Sequence, residues 1–517
     1  MRSIAFLSVV LGIAVMAPAA DTLVVCPEPL QRTLGPWLRH RQGQGHKMLV
    51  IAPAADANAL SRQIRQQAEA HPIRWLVLVG DTPAIATHEV SAEVVNHYGS
   101  EAKIPTDNPF ADLDGDRIPD IAVGRIPVTS TSQLRDLLDR VIQYEKSRGP
   151  HGWQSKVHFI AGVGGFGLLA DKAIEMATQQ LLGARIPATY QTSMTYGSWR
   201  SPFCPDPRQF HQHTLARLNE GSLFWVYLGH GSEQSLDRVV VPGKTYHILG
   251  SKDLPQIDCR RGSPIAVFLA CYTAAYDGTE PSLGEQLLHL PHGPIAVYGG
   301  SRVTMPYAMS VMGESLLRQV FDEKRVTLGE LILHAKRDMI LQEPGKRTAQ
   351  RRLIDVMAGT LSPSTHTLED ELEEHLSLFN LLGDPLLRIP YPKPMPIQCP
   401  SSADAGDSIT VTIVPPFAGT LRVELTCSRN QLTFQPPQRA SYQDNDPWLS
   451  DLDTVYQRAN DPVWWSQQFR VRRASSSIRI PIPAQARGPC FVRVIVEGRS
   501  NWASAASPVY VRSRQGN

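Results

Sequence analysis

Ser222-Leu-Phe-Trp-Val-Tyr-Leu228 is a largely apolar run near the middle of this 517-residue chain, and Pro264-Ile-Ala-Val-Phe-Leu-Ala270 is a second. Apolar side chains on successive positions are typical of strands buried on both faces, because neighbouring side chains of a strand point to opposite sides. Such strands belong to a parallel sheet that is covered by helices. The two runs therefore predict an α/β fold built on a parallel sheet.

A histidine and a cysteine follow these runs. His230 lies within Gly229-His-Gly231 just beyond the first run, and Cys271 directly follows the second. The carboxyl ends of strands in an open α/β sheet form the ligand crevice, so neighbouring strands would bring both side chains to one rim. A nearby imidazole shifts a thiol towards the nucleophilic thiolate. The pair predicts nucleophilic catalysis, and the alternative is a buried cysteine beside an ordinary glycine turn.

The flanking sequence predicts how the chain is organised. Strand and helix patterns alternate from residue 22 to about 150, and a second unit of the same kind follows. Helical patterns dominate from 326 to 380. In the first unit we expect strands at Thr22–Val25, Lys47–Ile51 and Trp75–Val79, with helices at Pro29–Gln42 and Asn58–Ala70. In the second we expect strands near 157–162, 187–191, 222–228, 264–270 and 294–299, with helices at 171–183, 208–219, 282–289 and 310–322.

The pattern changes after the proline-rich segment Pro390–Pro396, which predicts a stiff linker. Apolar and polar residues then alternate with a period of two, as in an all-β sandwich. Residues 435–466 interrupt this pattern with a polar insertion whose role the sequence does not indicate. The alternating segments are Ser408–Ile413, Thr420–Thr426, Ser477–Ile482, Cys490–Val496 and Val509–Val511.

Short blocks in a fixed order connect these features to a known family. Ile73–Asp81 is a strand that ends in Gly-Asp, Thr106-Asp107 is followed by Ala122–Pro127, and Leu382–Leu386 closes the α/β region. Together with the His-Gly and Ala-Cys motifs, this order resembles the gingipain-like cysteine peptidases of the caspase-like clan. Ordered blocks arise by chance far less readily than one motif. The resemblance covers roughly residues 22 to 392.

The resemblance implies a cysteine endopeptidase acting on a protein or peptide substrate through a thioester acyl-enzyme, with no required cofactor. Cys271 would be the nucleophile and His230 the general base and acid. The backbone amides of Gly231 and Cys271 would form the oxyanion hole. Asp171 falls where arginine-specific members place the carboxylate that pairs with a basic substrate side chain, which implies cleavage after Arg or Lys. Asp171 also fits an N-cap of the following helix, and the N-cap is the preferred interpretation.

Two further positions bear on the resemblance. Active members carry a Glu that supports the catalytic histidine, whereas Gly164 stands at that place here. This departure leaves an alternative open: a catalytically weak or inactive member that acts as a cell-surface or secretion-linked binding protein. Glu285 matches a family Glu as well, although a helix-face charge or a buried partner is the preferred interpretation.

The resemblance also implies the domain organisation. We expect a caspase-like catalytic domain of two α/β subdomains, followed by a sandwich that would be immunoglobulin-like, as in many such family members. The expected boundaries are 1–19 for a signal peptide, 21–150 for the N-terminal subdomain, 151–392 for the catalytic subdomain and 397–513 for the sandwich.

The N-terminus and the composition indicate where the protein works. Met1–Ser3 is a short basic start, Ile4–Met16 is apolar, and Ala17-Pro-Ala19 is a small-residue cleavage pattern. We therefore expect a secreted protein, periplasmic or extracellular, after signal-peptide removal. No later segment approaches the ~18 apolar residues of a membrane span. Because 51 basic and 49 acidic residues give a net charge of +2, neither nucleic acid nor an anionic membrane is indicated as partner.

An acidic loop predicts a structural calcium site. Asp112, Asp114, Asp116 and Asp120 occupy positions 1, 3, 5 and 9 of a tight turn, where their carboxylates could converge on a hard cation. Position 12 is Val123 instead of Glu, so this is not a helix-loop-helix site. The alternative, an acidic turn that is merely solvated, stays open.

Export gives meaning to the seven cysteines, because disulfides persist outside the cytoplasm and an odd count leaves one thiol over. We expect Cys271 to be that thiol. Cys427 and Cys490 lie in strand-like runs and could form a bridge, whereas buried free thiols throughout are the alternative. His211 and His213 would point apart on a helix, which predicts solvated side chains.

Overall fold

The computed structural model describes residues 19–146, 152–162, 185–361, 366–443, 449 and 451–513. Its largest element is a ten-stranded sheet in the order β2-β1-β3-β6-β14-β13-β12-β9-β7-β8. The strands of the α/β part are β1 (Thr22–Val25), β2 (Met48–Ile51), β3 (Trp75–Val79), β4 (His88–Ser91), β5 (Lys103–Thr106), β6 (Ala122–Ile126), β7 (Lys156–Ala161), β8 (Gln191–Tyr196), β9 (Phe224–Leu228), β10 (Arg238–Val241), β11 (Lys244–His247), β12 (Ile265–Leu269), β13 (Ala296–Gly300) and β14 (Phe379–Leu382).

The large sheet consists of two parallel sets that β14 joins. Strands β1, β2, β3 and β6 pair in parallel, and so do β7, β8, β9, β12 and β13. β14 is antiparallel to β13 and parallel to β6, so the two sets run in opposite directions. The predicted α/β class and its parallel strands are confirmed. The first two predicted subdomains thus supply one set of strands each and share one sheet.

Helices cover the sheet and bury its apolar side chains. All five residues of β3, β12 and β13 are buried, as the unbroken apolar runs require. The described helices are α1 (Glu28–Gln31), α2 (Gly35–Gly43), α3 (Ala57–Ala70), α4 (Asn108–Ala111), α5 (Thr131–Lys146), α6 (Phe210–Asn219), α7 (Leu283–His289), α8 (Pro306–Phe321), α9 (Leu328–Leu341), α10 (Ala349–Leu361), α11 (Leu368–Leu378) and α12 (Asp451–Ala459).

The C-terminal unit is a two-sheet β-sandwich, as the alternating pattern predicts. Its inner side chains form one core that both sheets share. One sheet has the order β15-β23-β22-β19-β20 with β17 on β23, and the other has the order β16-β18-β21. Its immunoglobulin-like character stays a prediction. The strands are β15 (Lys393–Pro394), β16 (Ile397–Gln398), β17 (Ser402–Asp404), β18 (Ser408–Ile413), β19 (Gly419–Cys427), β20 (Val463–Val471), β21 (Ser476–Pro481), β22 (Gly488–Glu497) and β23 (Trp502–Arg512).

Three expectations need correction. The strand expected near 187–191 is β8, which begins only at Gln191, because Pro187 and the residues after it form a turn. The proline-rich segment, expected as a stiff linker, is partly a strand, because Lys393 and Pro394 pair with β23. The insertion at 435–466 contains α12 and the start of β20, both unforeseen.

The sandwich unit docks firmly on the α/β unit. Arg429 donates to the carbonyl oxygens of Ile186, Pro187 and Tyr190, and the last two distances are 2.8 Å. Asn460, just after α12, accepts from the Met194 amide at 2.7 Å and donates to its carbonyl at 3.0 Å. Among the described residues, no helix has both the length and the apolar character that crossing a bilayer requires.

Candidate active site

Two neighbouring strands bring His230 and Cys271 to the same edge of the sheet. β9 and β12 are parallel, and Leu228 pairs with Leu269 at their last positions. The Gly229 amide continues this pairing by donating to the Leu269 carbonyl at 3.3 Å. His230 and Cys271 each lie two residues beyond the paired leucines, so the sheet register sets them side by side.

The loop around His230 is held by hydrogen bonds to the His230 carbonyl. The His230 carbonyl accepts hydrogen bonds from the Tyr227 hydroxyl at 2.8 Å and from the Asp237 amide at 3.1 Å. Gly229 has a φ of +149°, and a Cβ there would lie 2.8 Å from the Tyr227 hydroxyl. The position therefore requires glycine. This anchoring holds a half-buried imidazole at the rim.

The two loops touch at Gly231. A Cβ on this residue would lie 2.7 Å from the carbonyl oxygen of Cys271, closer than real Cβ atoms come to a backbone atom. The backbone after His230 thus packs directly against the backbone of Cys271. Any side chain at this position would push the two loops apart.

The thiol of Cys271 has a polar neighbour that the sequence analysis missed. The Thr304 amide donates to Cys271 Sγ at 3.2 Å, and Thr304 Oγ1 lies 3.5 Å from the same sulfur. A hydrogen-bond donor at sulfur stabilises the thiolate, which is the nucleophilic form. Thr304 follows β13, the next strand along, so the strand-end rule that selects His230 and Cys271 would also have selected it.

The seven cysteines differ in exposure. Cys271 and Cys399 are half-buried, and the other five are buried. Burial raises the pKa of the Cys26, Cys204 and Cys259 thiols to about 12, which keeps them protonated and inert at neutral pH. Cys427 and Cys490 occupy opposite positions in the register of β19 and β22 and are thiols here. A bridge between them stays a prediction.

The strand-end pair and the ordered blocks around it match a known peptidase family. The model of peptidase family C25 matches residues 16–390. The chain belongs to peptidase family C25. This confirms the predicted gingipain-like family, and it assigns both the strand-end histidine and the strand-end cysteine to the region that family C25 shares.

Named relatives in family C25 are distant and longer. Lys-gingipain from Porphyromonas gingivalis is 25% identical over 293 residues, which are 54% of this chain and 15% of that protein. Gingipain R2 from the same organism is 21% identical over 408 residues, which are 74% of this chain and 48% of that protein. The chain thus spans less than half the length of these relatives.

Solved structures show the fold of this C25 chain. The crystal structure of the Arg-specific cysteine proteinase gingipain R superposes with a TM-score of 0.53 at 15% identity, and the match covers 96% of this chain and 98% of that one. A second structure, described as a protease, gives a TM-score of 0.55 at 17% identity over 95% and 97%. The predicted caspase-like fold is confirmed.

A charged cluster lies beside Cys271. Arg302 contacts Asp277 at 2.5 Å and Glu101 at 3.3 Å, and the Tyr272 hydroxyl donates to Glu101 at 2.8 Å. Tyr272 has a φ of +56°, which is uncommon outside glycine and turns the chain sharply after Cys271. Burial raises the pKa of this tyrosine to about 12, so its hydroxyl remains a donor at neutral pH.

Several predicted positions lie elsewhere. Asp171 and Gly164 fall outside the described residues, as does the predicted signal peptide apart from its last residue. Glu285 is buried near the start of α7, where it accepts from the Ser282 amide and hydroxyl, both at 2.8 Å. It forms a capping box with Ser282. The buried-partner interpretation of Glu285 therefore fits the structure.

The acidic loop brings three of its four carboxylates together. Ligand oxygens of Asp112, Asp114 and Asp116 lie within 4.8 Å of one another. All four carboxylates accept from loop backbone amides, but Asp120 differs because it also contacts Arg337 at 3.3 Å. The structure thus groups three oxygen ligands of the kind calcium prefers and sets the fourth aside.

His211 and His213 diverge on α6 as expected, yet the prediction that both are solvated is wrong. His211 lies 3.5 Å from Asp253, and His213 lies 3.1 Å from Asp453 in α12. Each side chain is 20% exposed. Their partners come from distant parts of the chain, so local spacing could not reveal them.

Proposed function

We propose that this protein is a cysteine endopeptidase whose nucleophile is Cys271 and whose general base and acid is His230. The register of β9 and β12 carries the proposal, because it sets the residues after Leu228 beside those after Leu269. A cysteine and a histidine that meet in this way form a usable nucleophilic pair. Membership of peptidase family C25 supports the reaction class.

The reaction follows from these groups. His230 takes the proton of the Cys271 thiol, and the thiolate attacks the carbonyl carbon of the scissile peptide bond. The amides of Gly231 and Cys271 stabilise the oxyanion of the tetrahedral intermediate. His230 then gives the proton to the leaving amine, and a thioester remains. Water, deprotonated by His230, hydrolyses the thioester and releases the acid and the free thiol.

The Thr304 amide gives the thiolate additional support. It donates to Cys271 Sγ at 3.2 Å, and a donor in this position favours the negative charge on sulfur. The support does not depend on a third residue behind the imidazole.

The substrate preference is proposed to be a basic residue before the cleaved bond. Two relatives point in this direction by name, one as Lys-gingipain and the other as an Arg-specific cysteine proteinase. Asp171 is the proposed carboxylate partner of the basic side chain. We expect Asp171→Ala to reduce kcat/KM for peptides with Arg or Lys at this site, while peptides with Ala there are cleaved equally by both forms. Cleavage indifferent to the change would remove the assignment.

The proposed setting is extracytoplasmic, either periplasmic or extracellular. The basic start, the apolar segment and the small-residue pattern of residues 1–19 support removal of a signal peptide on export. Sequencing the N-terminus of the mature protein isolated from its host tests this directly. A chain that retains Met1 contradicts it.

We further propose that the acidic loop binds a structural calcium ion through Asp112, Asp114 and Asp116. Asp120 would pair with Arg337 and not with the ion. Chelation should lower the melting temperature of the wild type. Asp114→Asn should remove that response, and an unchanged melting temperature on chelation would contradict the site.

Active-site labelling separates an enzyme from a binding protein on the same scaffold. An alkylating peptide with a basic residue, applied under reducing conditions, should label wild-type Cys271 and neither Cys271→Ala nor His230→Ala. Cys399→Ala is the matched control, because Cys399 is also half-buried, and His97→Ala controls for an exposed histidine. No labelling of the wild type would favour the non-catalytic alternative, with interactions made through the sandwich.

A further inference from the structure

Three side chains outside the proposed active site converge on one point. His211 lies in α6, His247 ends β11, and Asp253 lies in the short 3₁₀ helix Ser251–Gln256. His247 Nε2 is 2.5 Å from one carboxylate oxygen of Asp253, and His211 Nε2 is 3.5 Å from the other. One ligand atom from each residue lies within 4.8 Å of the other two. The set joins three separate elements.

The hydrogen bonds of His211 fix its tautomer. Nδ1 of His211 lies 3.1 Å from the carbonyl oxygen of Ile248, and a carbonyl can only accept. The proton of the neutral ring is therefore on Nδ1, and the lone pair of Nε2 faces Asp253. A backbone carbonyl behind the other ring nitrogen is the usual arrangement of a metal-binding histidine.

A lone pair that faces a carboxylate needs a positive charge between them. The carboxylate of Asp253 is buried and already accepts from the Gly250 amide at 2.8 Å. Either His211 takes up a second proton, or a cation binds between the nitrogen and the oxygen. His247 Nε2 and Asp253 share a hydrogen bond in this structure, and a metal ion would replace its proton and meet both imidazole nitrogens and the carboxylate at once.

Space for a further ligand lies next to the three side chains. A cavity of about 330 Å³ is bordered by them and by Arg208, Gln212, Tyr246 and Lys252. This volume admits water molecules or a small anion beside the ion. Two imidazoles, one carboxylate and an open position form the donor set of many zinc sites.

We propose that His211, His247 and Asp253 bind a divalent transition-metal ion, with zinc as the preferred ion and a fourth position open to the cavity. Imidazole nitrogen favours zinc, copper or nickel over calcium and magnesium, which prefer oxygen ligands. The site is distinct from the acidic loop and does not depend on peptidase activity.

The metal would hold the segment that supports the His230 loop. The Leu236 amide donates to the Leu249 carbonyl at 2.8 Å, and the Ser251 amide donates to the Gln234 carbonyl at 2.9 Å. Both bonds join the chain between His247 and Asp253 to the loop after His230. Binding should therefore raise the melting temperature of the folded chain.

The test uses the full chain carrying Cys271→Ala, so that the thiol and His230 cannot bind the added ion together. Zinc titration by calorimetry should give one equivalent per chain at this site, and cobalt should give visible d–d absorption. We expect His211→Ala and His247→Ala each to weaken zinc binding by ~100-fold or more, and both to abolish the cobalt bands.

His213→Ala is the matched control. His213 lies on the same helix two residues from His211 and is equally exposed, but it contacts Asp453. The His213→Ala variant should bind zinc as tightly as the chain that carries Cys271→Ala alone. His247→Gln is a milder second variant, with circular dichroism as the check on folding. If folded His247→Gln binds zinc as tightly as His213→Ala does, the proposal is overturned. It is also overturned if calcium displaces bound cobalt at a concentration similar to that of the cobalt.

Discussion

Gly231 is the residue at which the histidine and cysteine loops meet. We expect Gly231→Ala to reduce the rate of Cys271 labelling by ~100-fold or more, because a Cβ 2.7 Å from the Cys271 carbonyl must displace one loop from the other. Labelling kinetics with the basic alkylating peptide measure this. The control is Gly345→Ala, where a Cβ would meet open space. Equal labelling of both variants would contradict the close approach.

Glu285 gives a prediction about pH. Burial raises the pKa of its carboxyl from 4.5 to about 7 in the folded chain, against the lowering effect of the Ser282 hydrogen bonds. Between these values the folded chain holds a proton that the unfolded chain has released, so the free energy of unfolding falls as pH rises. The contribution of protonated Glu285 to the free energy of unfolding is complete below pH 4.5 and is lost by about pH 7.

We expect Glu285→Gln to remove up to ~3 kcal/mol of this fall, since an amide does not titrate. Urea unfolding at pH 5 and pH 8 measures the difference between the two free energies. The exposed Glu69→Gln serves as control and should keep the wild-type fall. If the Glu285→Gln protein loses the same stability between the two pH values, Glu285 is not the group responsible.

At the scale of residues, the sequence revealed the reactive pair but not its surroundings. His230 and Cys271 follow unmistakable apolar strands, so their position at a strand end was predictable. The strand-end rule could have selected Thr304 by its position, but its role as a backbone donor to sulfur has no sequence signature. His247 and Asp253 lie 36 and 42 residues after His211 by their numbers, and only the fold brings them together.

At the scale of elements, α12 protects an exposed edge. β8 is the last strand of the large sheet, and its outer side would otherwise present unpaired backbone groups. Asn460 satisfies both polar groups of Met194 on this strand. The Tyr456 hydroxyl adds a hydrogen bond to Thr195 at 2.8 Å. The polar insertion thus acts as a cover for the sheet.

We expect Asn460→Ala to lower the free energy of unfolding by ~1–3 kcal/mol, because it removes both hydrogen-bond partners of the Met194 backbone. Urea unfolding monitored by tryptophan fluorescence measures the change. Gln457→Ala on the exposed side of α12 is the control and should stay within ~0.5 kcal/mol of the wild type. If Asn460→Ala lowers the free energy of unfolding no more than Gln457→Ala does, the edge strand does not depend on this contact.

Elements were predictable where the apolar run is unbroken. β9 and β12 carry apolar residues on every inward position and were located to within two residues. β20 was missed because Ser466, Gln467 and Gln468 are exposed polar residues, and the strand owes its conformation to pairing with β19. α12 lies within a polar stretch, and its four buried residues face a partner that local sequence does not reveal.

At the scale of the whole molecule, the α/β and sandwich units share buried polar contacts. Arg429 is half-buried between the two units, and desolvation there lowers its pKa to about 10. Its donors bind the carbonyls of Ile186, Pro187 and Tyr190. The division into two kinds of unit was predictable from the change of periodicity after residue 396. The contact between the two units was not predictable, because Arg429 binds backbone carbonyls. Every residue has a carbonyl, so the sequence does not indicate which ones Arg429 contacts.

We expect Arg429→Ala to destabilise the chain by ~2–4 kcal/mol and to separate unfolding of the two units, because several carbonyls lose a donor together. Differential scanning calorimetry should show one transition for the wild type and two for the variant. Arg472→Ala, on an exposed part of the sandwich, is the control and should unfold as the wild type does. A single, unshifted transition in Arg429→Ala would contradict this coupling.

The position of β14 has a consequence for synthesis. Its four residues, Phe379–Leu382, separate the two parallel strand sets, although every other strand of the sheet lies earlier in the chain. A nascent chain therefore carries two half-sheets with open edges until residue 382 leaves the ribosome. Contacts that close so late in sequence make folding slow and leave those edges exposed to aggregation. A premature stop before Phe379 would release both halves unjoined.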